Sequence, residues 1–199
     1  MKRLAIAIVS LAALAGCATA APAFSFAVAG DSLTAWDNQT FPDPDGDFST
    51  VTWTHWAISD DIQLAGGFAR EDLTAEQIAE NMVSVEADVL VVMAGTNDVG
   101  VTPVAEVLVN IERIVETSGV ATVLISALPP VDGSAEYNSA LETMAAENDW
   151  GFADPWVELR RDDGEWLDGS SSDGVHPNPD SAKVVGAAIV VAMRELLGG

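Results

Sequence analysis

The strongest constraint on the fold is an almost uninterrupted apolar run at residues 87–94, Ala-Asp-Val-Leu-Val-Val-Met-Ala. A strand that is buried on both faces has this composition, because neither face needs polar side chains. Further apolar segments at residues 24–29 and 121–128, with weaker or shorter ones at 61–65 and 150–153, predict four more strands. The sequence therefore predicts a sheet that is covered on both sides.

Helical patterns separate these strands. A capping box at Thr74 and Gln77 predicts a helix to about residue 83. The next helix is predicted to have Thr102 as its N-cap and Pro103 at its first helical position, and to end at Gly119. Two more helices are predicted at residues 134–147 and 179–197, whereas residues 51–59 fit either a helix or a strand. This alternation predicts a parallel sheet, and hence a single three-layer α/β domain over residues 24–199.

The N-terminus has the pattern of an export signal. A short basic start precedes an apolar run, which predicts a signal peptide at residues 1–16 and a tether at residues 17–23. The tetrapeptide Leu-Ala-Gly-Cys that ends at Cys17 resembles a bacterial lipobox, in which the cysteine becomes the lipidated first residue. Cleavage after Ala20 is the alternative and would release a soluble protein. We expect an exported protein whose only membrane contact is a lipid on Cys17.

The net charge of the chain restricts the classes of molecule that it can bind. The formal net charge is −23 at pH 7, from 31 acidic and 8 basic residues. We expect no nucleic-acid partner, because phosphate binding needs clustered Lys and Arg. The same field repels anionic lipid surfaces and polyanionic substrates, and so favours a neutral substrate.

An acidic loop at residues 41–48 has carboxylates at positions 43, 45 and 47, as a calcium loop does. It lacks the terminal glutamate and the flanking helices of an EF-hand. We interpret it as a solvated surface loop and predict no metal site.

A serine follows the first predicted strand on a sharp turn, Gly30-Asp-Ser-Leu-Thr. Ligands of open α/β folds bind at the carboxyl ends of the strands, where this turn would hold Ser32. Backbone N–H groups at the start of the next helix would face the same space, as a nucleophilic serine requires. The alternative is that Ser32 is only the N-cap of that helix.

Two further loops carry polar groups suited to this chemistry. Asn97 follows the long buried strand, where its amide can donate to a developing oxyanion, although an Asx turn is the alternative. Asp173 and His176 lie three residues apart before the last helix. A carboxylate there can fix the imidazole tautomer and leave the other ring nitrogen to take a proton from serine. The alternative for His176 is a surface residue at a helix start, and the other histidine, His55, has no comparable partner.

Taken in order, Gly-Asp-Ser-Leu, Gly-Thr-Asn-Asp and Asp-x-x-His-Pro resemble the motifs of the GDSL, or SGNH, hydrolases, and the resemblance spans residues 24–197. It implies a three-layer fold with a parallel, flavodoxin-like sheet of five strands, and ester hydrolysis without a metal or other cofactor. By this resemblance Ser32 is the nucleophile, His176 the general base and then acid, and Asp173 the residue that orients it. The oxyanion donors would be the Ser32 N–H, the Asn97 amide and an N–H from the loop after the second strand.

This sequence departs from the family at the last of these donors. The family usually has a glycine two residues before a threonine, and Asp72 occupies that position here, with Gly67 as the alternative donor. Aspartate tolerates a positive φ better than most residues do, so its N–H can still donate. A carboxylate near a forming oxyanion is unfavourable unless it points away, so we expect a slower enzyme.

The sequence restricts the identity of the substrate less than it restricts the catalytic residues. Trp36 and Trp166 flank the predicted loops and either line the pocket or pack in the core. We expect a monomer that hydrolyses a small ester or an acylated glycan. A lysophospholipase or thioesterase of the same fold is one alternative. A surface-anchored binding module on an inactive hydrolase scaffold is the other.

Overall fold

A computed structural model describes residues 23–35 and 48–198. The expectations for the leader, the lipobox, Trp36 and the acidic loop at 41–47 lie outside these residues. Five strands form one sheet in the order β2-β1-β3-β4-β5, and every pair is parallel. They are β1 (Phe24–Gly30), β2 (Ile62–Ala69), β3 (Val89–Met93), β4 (Val123–Ser126) and β5 (Gly151–Ala153). This is the flavodoxin-like order, and it confirms the predicted fold.

Six α-helices lie between or after the strands within the described ranges: α1 (Ser32–Ala35), α2 (Trp53–Ala57), α3 (Ala75–Asn81), α4 (Val104–Ser118), α5 (Ser134–Glu147) and α6 (Pro179–Leu196). The segment that fitted either helix or strand contains α2. The predicted capping box is present, since the Thr74 hydroxyl accepts the Gln77 N–H and the Gln77 side chain accepts the Thr74 N–H. No helix of the described part of the chain is both long and apolar enough to cross a membrane.

The start of α4 differs from the prediction by one residue. Pro103 occupies the N-cap position, with extended backbone at φ −56° and ψ 138°, instead of the first helical position. Its carbonyl accepts the first helical hydrogen bonds, from the N–H groups of Glu106 and Val107. Thr102 therefore lies outside the helix and does not cap it.

The sheet separates two apolar layers. Along β1, Phe26 and Val28 face the core beneath α2 and α6, while Ala27 and Ala29 face the core beneath α3, α4 and α5. All five residues of β3 are buried because this central strand is covered on both faces. This packing explains the apolar run at residues 87–94, and it fixes one polar edge of the sheet, where the loops after β1, β2 and β3 meet.

Candidate active site

The turn after β1 requires a glycine. A Cβ atom at Gly30 would lie 2.2 Å from Thr34 Oγ1 and 2.9 Å from the Met93 carbonyl oxygen, closer than real Cβ atoms approach. The absence of a side chain lets β1 end tightly against α1 and the end of β3. This close approach places Ser32 at the carboxyl edge of the sheet, directly above two buried strands.

Asp31 caps the helix that begins at Ser32. Its carbonyl oxygen accepts the N–H groups of Thr34 and Ala35, and its Oδ1 accepts the Leu33 N–H at 3.1 Å. A carboxylate at this position satisfies N–H groups that have no partner inside the helix. Asp31, rather than Ser32, thus has the capping role, and the Ser32 hydroxyl can bond elsewhere.

The structure brings Ser32, His176 and Asp173 together. Ser32 Oγ lies 2.9 Å from His176 Nε2, and His176 Nδ1 lies 2.7 Å from Asp173 Oδ2. A carboxylate beside Nδ1 favours the tautomer with its proton on Nδ1, which leaves Nε2 as an acceptor for the serine O–H. The Ser32 hydroxyl is therefore hydrogen-bonded to a base that is itself oriented by a carboxylate, as in hydrolytic triads.

A tight loop holds Asp173 in its ionised form. Its Oδ1 accepts the Val175 N–H at 2.9 Å and the His176 N–H at 2.8 Å. Burial opposes ionisation, but the His176 N–H, the His176 ring and the Val175 N–H outweigh it and lower the pKa of Asp173 to about 2. The Ser171 hydroxyl closes the loop, accepting the Gly174 N–H and donating to the His176 carbonyl.

Trp166 supports this loop from the core side. Its indole N–H donates to the Gly174 carbonyl at 2.9 Å, and its ring packs edge-on against Trp156 with centroids 5.6 Å apart. Trp166 is only 9% exposed and belongs to the core cluster under α2 and α6. This placement agrees with the packing interpretation of Trp166 and leaves little of its ring for a substrate.

The loop after β3 is joined to the loop after β2. Asn97 Nδ2 donates to the Leu73 carbonyl at 2.9 Å, and Asp98 Oδ2 accepts the Ala75 N–H at 2.8 Å. A side-chain amide has two N–H groups, so one of them is left for a substrate oxygen. The loop after β2 is in turn joined to the serine turn, because the Arg70 N–H donates to the Gly30 carbonyl at 3.2 Å.

Asp72 lies in this loop after β2. Its φ is 63°, the left-handed conformation that glycine adopts most easily, and its side chain is exposed to solvent. Gly67 lies inside β2, paired with Val28, and a Cβ there would meet the Val28 carbonyl oxygen at 2.0 Å. Gly67 therefore serves the close packing of two strands, and Asp72 is the one of these two residues that lies in the loop after β2.

The chain matches a known protein family over most of its length. The model of the GDSL-like Lipase/Acylhydrolase family matches residues 28–184. The chain belongs to this family. The resemblance seen in the motifs is thereby confirmed, and the protein is a hydrolase that acts on ester bonds.

Solved structures share the fold of this GDSL-family hydrolase. A member of the lipolytic G-D-S-L family from Veillonella parvula is 18% identical with a TM-score of 0.64, covering 84% of this chain and 96% of its own. A GDSL-like lipase from Bacteroides thetaiotaomicron is 16% identical with a TM-score of 0.65, covering 86% and 88%. An acetylxylan esterase from Geobacillus stearothermophilus, solved as a catalytic mutant, is 13% identical with a TM-score of 0.62, covering 86% and 94%. A search of curated proteins finds no match.

Sequence reasoning missed one buried charged group of this hydrolase. Asp31 is fully buried, and burial raises its pKa to about 6, against the opposing effects of the Leu33 N–H, the Thr96 hydroxyl and His176. Asp98 adds a smaller effect that raises it further. The signal was present in the sequence, because Asp31 interrupts an otherwise apolar strand end directly before the serine.

Proposed function

We propose that this hydrolase is an exported serine esterase that removes short, acetyl-like groups from a neutral or carbohydrate alcohol. One observation carries the proposal: the unbroken series of contacts from Ser32 Oγ through His176 to Asp173, at 2.9 Å and 2.7 Å. It supports acyl transfer through a covalent acyl-enzyme intermediate.

In the acylation step, His176 Nε2 accepts the Ser32 proton while Oγ attacks the carbonyl carbon of the ester. The ionised Asp173 stabilises the imidazolium that forms, without itself accepting the proton. His176 then donates this proton to the alcohol oxygen as the C–O bond breaks. The alcohol leaves, and the acyl group remains on Ser32.

In the second half of the reaction, water replaces the alcohol. His176 accepts a proton from water, the hydroxide attacks the acyl carbon, and the proton returns to Ser32 Oγ as the carboxylic acid leaves. In both halves a negative oxygen forms, for which we propose the N–H groups of Ser32 and Asp72 and the second N–H of Asn97 as donors. Donors of this kind act because they are fixed before the charge develops.

Two observations support the choice of a small, uncharged acyl substrate. The net charge of −23 disfavours anionic substrates and anionic lipid surfaces. The acetylxylan esterase from Geobacillus stearothermophilus, which has the same fold at 13% identity, is an example of this fold in an enzyme named for an acetylated carbohydrate. A panel of acetylated glycans and of p-nitrophenyl esters of increasing chain length tests the choice, and a preference for long acyl chains would favour the lysophospholipase or thioesterase alternative.

The export proposal depends on the N-terminal sequence. Its basic start, its apolar run and its lipobox-like tetrapeptide support cleavage before Cys17 and attachment of lipid there. The intact mass of protein extracted from membranes tests it. A mass that matches an unmodified chain beginning after Ala20 would replace the anchored form with a secreted one.

The central experiment is Ser32→Ala, assayed with p-nitrophenyl acetate. We expect the loss of nearly all turnover with unchanged folding, because no other group supplies the attacking oxygen. Ser139→Ala, which changes an exposed serine of α5, is the matched control and should retain full activity. A fluorophosphonate probe should label Ser32. Failure to label folded protein would favour the binding-module alternative.

A further inference from the structure

Asp31 has an oxygen that the capping role does not use. The side chain is fully buried, its Oδ1 accepts the Leu33 N–H, and its Oδ2 has no hydrogen-bond partner among the described residues. Buried polar atoms are rarely left unpaired, because each loses its bonds to water without replacement. An acidic oxygen kept in this state next to a nucleophile calls for an explanation.

The only other buried side-chain atom without a hydrogen-bond partner in residues 23–35 and 48–198 is Thr96 Oγ1. The Thr96 hydroxyl lowers the pKa of Asp31, so the two groups are neighbours. The backbone explains why, since Gly30 pairs with Met93 at the ends of β1 and β3, and each chain continues from there into its loop. The two unpaired atoms are chemical complements, a carboxylate oxygen that accepts and a hydroxyl that donates.

Their positions in the chain give this contact a consequence. Asp31 directly precedes Ser32, and Thr96 directly precedes Asn97. A bond between the Asp31 carboxylate and the Thr96 hydroxyl joins the turn that carries the nucleophile to the loop that carries the oxyanion donor. A displacement of either loop by about 1 Å is enough to lower a rate about a hundredfold.

We propose that Asp31 and Thr96 form a buried positioning pair that sets the Asn97 amide relative to the Ser32 hydroxyl. The proposal rests on the function proposed above. In the working state the Thr96 O–H donates to the ionised Oδ2 of Asp31, a charge-assisted bond. Neither residue touches the substrate, and both act through their neighbours in sequence.

The pair also makes catalysis depend on the charge of Asp31. Two titratable groups act on this carboxyl: His176, which favours its ionised form, and Asp98, which opposes it. The ionised Asp31 in turn favours the imidazolium that forms at His176 during attack. Because its pKa is about 6, Asp31 gains a proton as the pH falls through that value. Acidification should therefore remove the negative charge of Asp31 from the working site.

The test is a double-mutant cycle of Asp31→Asn and Thr96→Val, with p-nitrophenyl acetate as the substrate. We expect each single variant to lower kcat about tenfold with little change in KM, and the double variant to be no slower than the worse single one. Thr96→Ser keeps the hydroxyl and should restore most of the kcat. As a control, Ser118→Ala removes a buried hydroxyl at the C-terminal end of α4 and should leave kcat unchanged.

A pH profile separates positioning from general loss of structure. The acid limb of kcat/KM should contain an ionisation near pH 6 in the wild-type protein that is absent in Asp31→Asn. Two results would overturn the pair and leave the proposed esterase intact. One is a double variant whose loss of kcat equals the product of the two single losses. The other is an unchanged kcat in both single variants while Ser32→Ala is inactive. Full activity in Ser32→Ala would instead overturn the proposed function. If Asp31→Asn does not fold, the Thr96 variants alone test the pair. Equal kcat values for Thr96→Val and Thr96→Ser would contradict it.

Discussion

The Asn97 side chain donates a hydrogen bond to the Leu73 carbonyl across 2.9 Å, so the loops that follow β2 and β3 hold each other in place. This bond fixes the plane of the amide before any substrate arrives. The second N–H of the same nitrogen then has a defined direction. A donor that does not have to reorganise when the oxyanion forms stabilises it most effectively.

Replacement of Asn97 by alanine tests this role. We expect Asn97→Ala to lower kcat about 100- to 1,000-fold, equivalent to roughly 3–4 kcal/mol of transition-state stabilisation. KM should change far less, because the donor acts on a charge that the ground state lacks. Steady-state kinetics with p-nitrophenyl acetate give both constants. Asn148→Ala is the control, because Asn148 Nδ2 also donates to a backbone carbonyl, that of Met144, but at the far end of α5.

The Asp173 carboxylate should matter for its charge and for the tautomer it imposes. Asp173→Asn replaces an accepting oxygen with an N–H₂ group or a weaker acceptor beside His176 Nδ1, so the proton is no longer held there. We expect kcat at neutral pH to fall by about 10⁴-fold. Asp163→Asn, which removes an exposed carboxylate paired with Arg161, should leave kcat unchanged. A loss of less than tenfold in Asp173→Asn would show that His176 is oriented by other contacts.

The sheet and most helices could be predicted because their signals are local. The apolar run of β3, the capping box of α3 and the Gly119 that ends α4 each depend on residues adjacent in sequence, and each is found in the structure. The contacts between loops could not be predicted in this way. The bond from Asn97 to Leu73 joins residues that no periodicity relates, and it appears only when parallel strands place their carboxyl ends side by side.

Asp72 offers a prediction about charge. Its exposed carboxylate lies in the loop after β2, and we propose its N–H as an oxyanion donor, so the carboxylate should oppose the transition state weakly through water. Asp72→Asn keeps the tolerance for a positive φ and removes the charge. We expect kcat/KM to rise two- to threefold at low salt, or roughly 0.5 kcal/mol, as for charges that interact in high dielectric. The gain should vanish near 1 M salt, where screening is nearly complete.

The control for Asp72→Asn is Glu80→Gln, which removes an exposed carboxylate near the end of α3. Glu80→Gln changes the net charge by the same amount as Asp72→Asn, but at a position outside the loop after β2. An equal gain in both variants would mean that the overall field, and not the position of Asp72, slows the reaction.

The buried Asp31 leads to a prediction about stability. Burial raises its pKa from 3.8 to about 6 in the folded protein, so the folded state binds this proton more tightly than the unfolded state does. Ionised Asp31 therefore destabilises the fold above pH 6, by about 3 kcal/mol if 1.36 kcal/mol is taken per pKa unit. This destabilisation should shrink as the pH falls from 6 towards 3.8 and should disappear below that value, where the carboxyl is protonated in both states.

Asp31→Asn removes the charge at every pH and keeps an oxygen for the Leu33 N–H. Urea unfolding should show the variant to be more stable than the wild type at pH 8. The difference should shrink as the pH falls through 6 and should be absent below pH 3.8. Asp88→Asn is the control of opposite sign, because the Ser25 N–H and hydroxyl lower the pKa of Asp88. Its loss should destabilise the protein at pH 8 and not at low pH. A stability difference for Asp31→Asn that is constant between pH 4 and 8 would show that Asp31 does not change its protonation on folding.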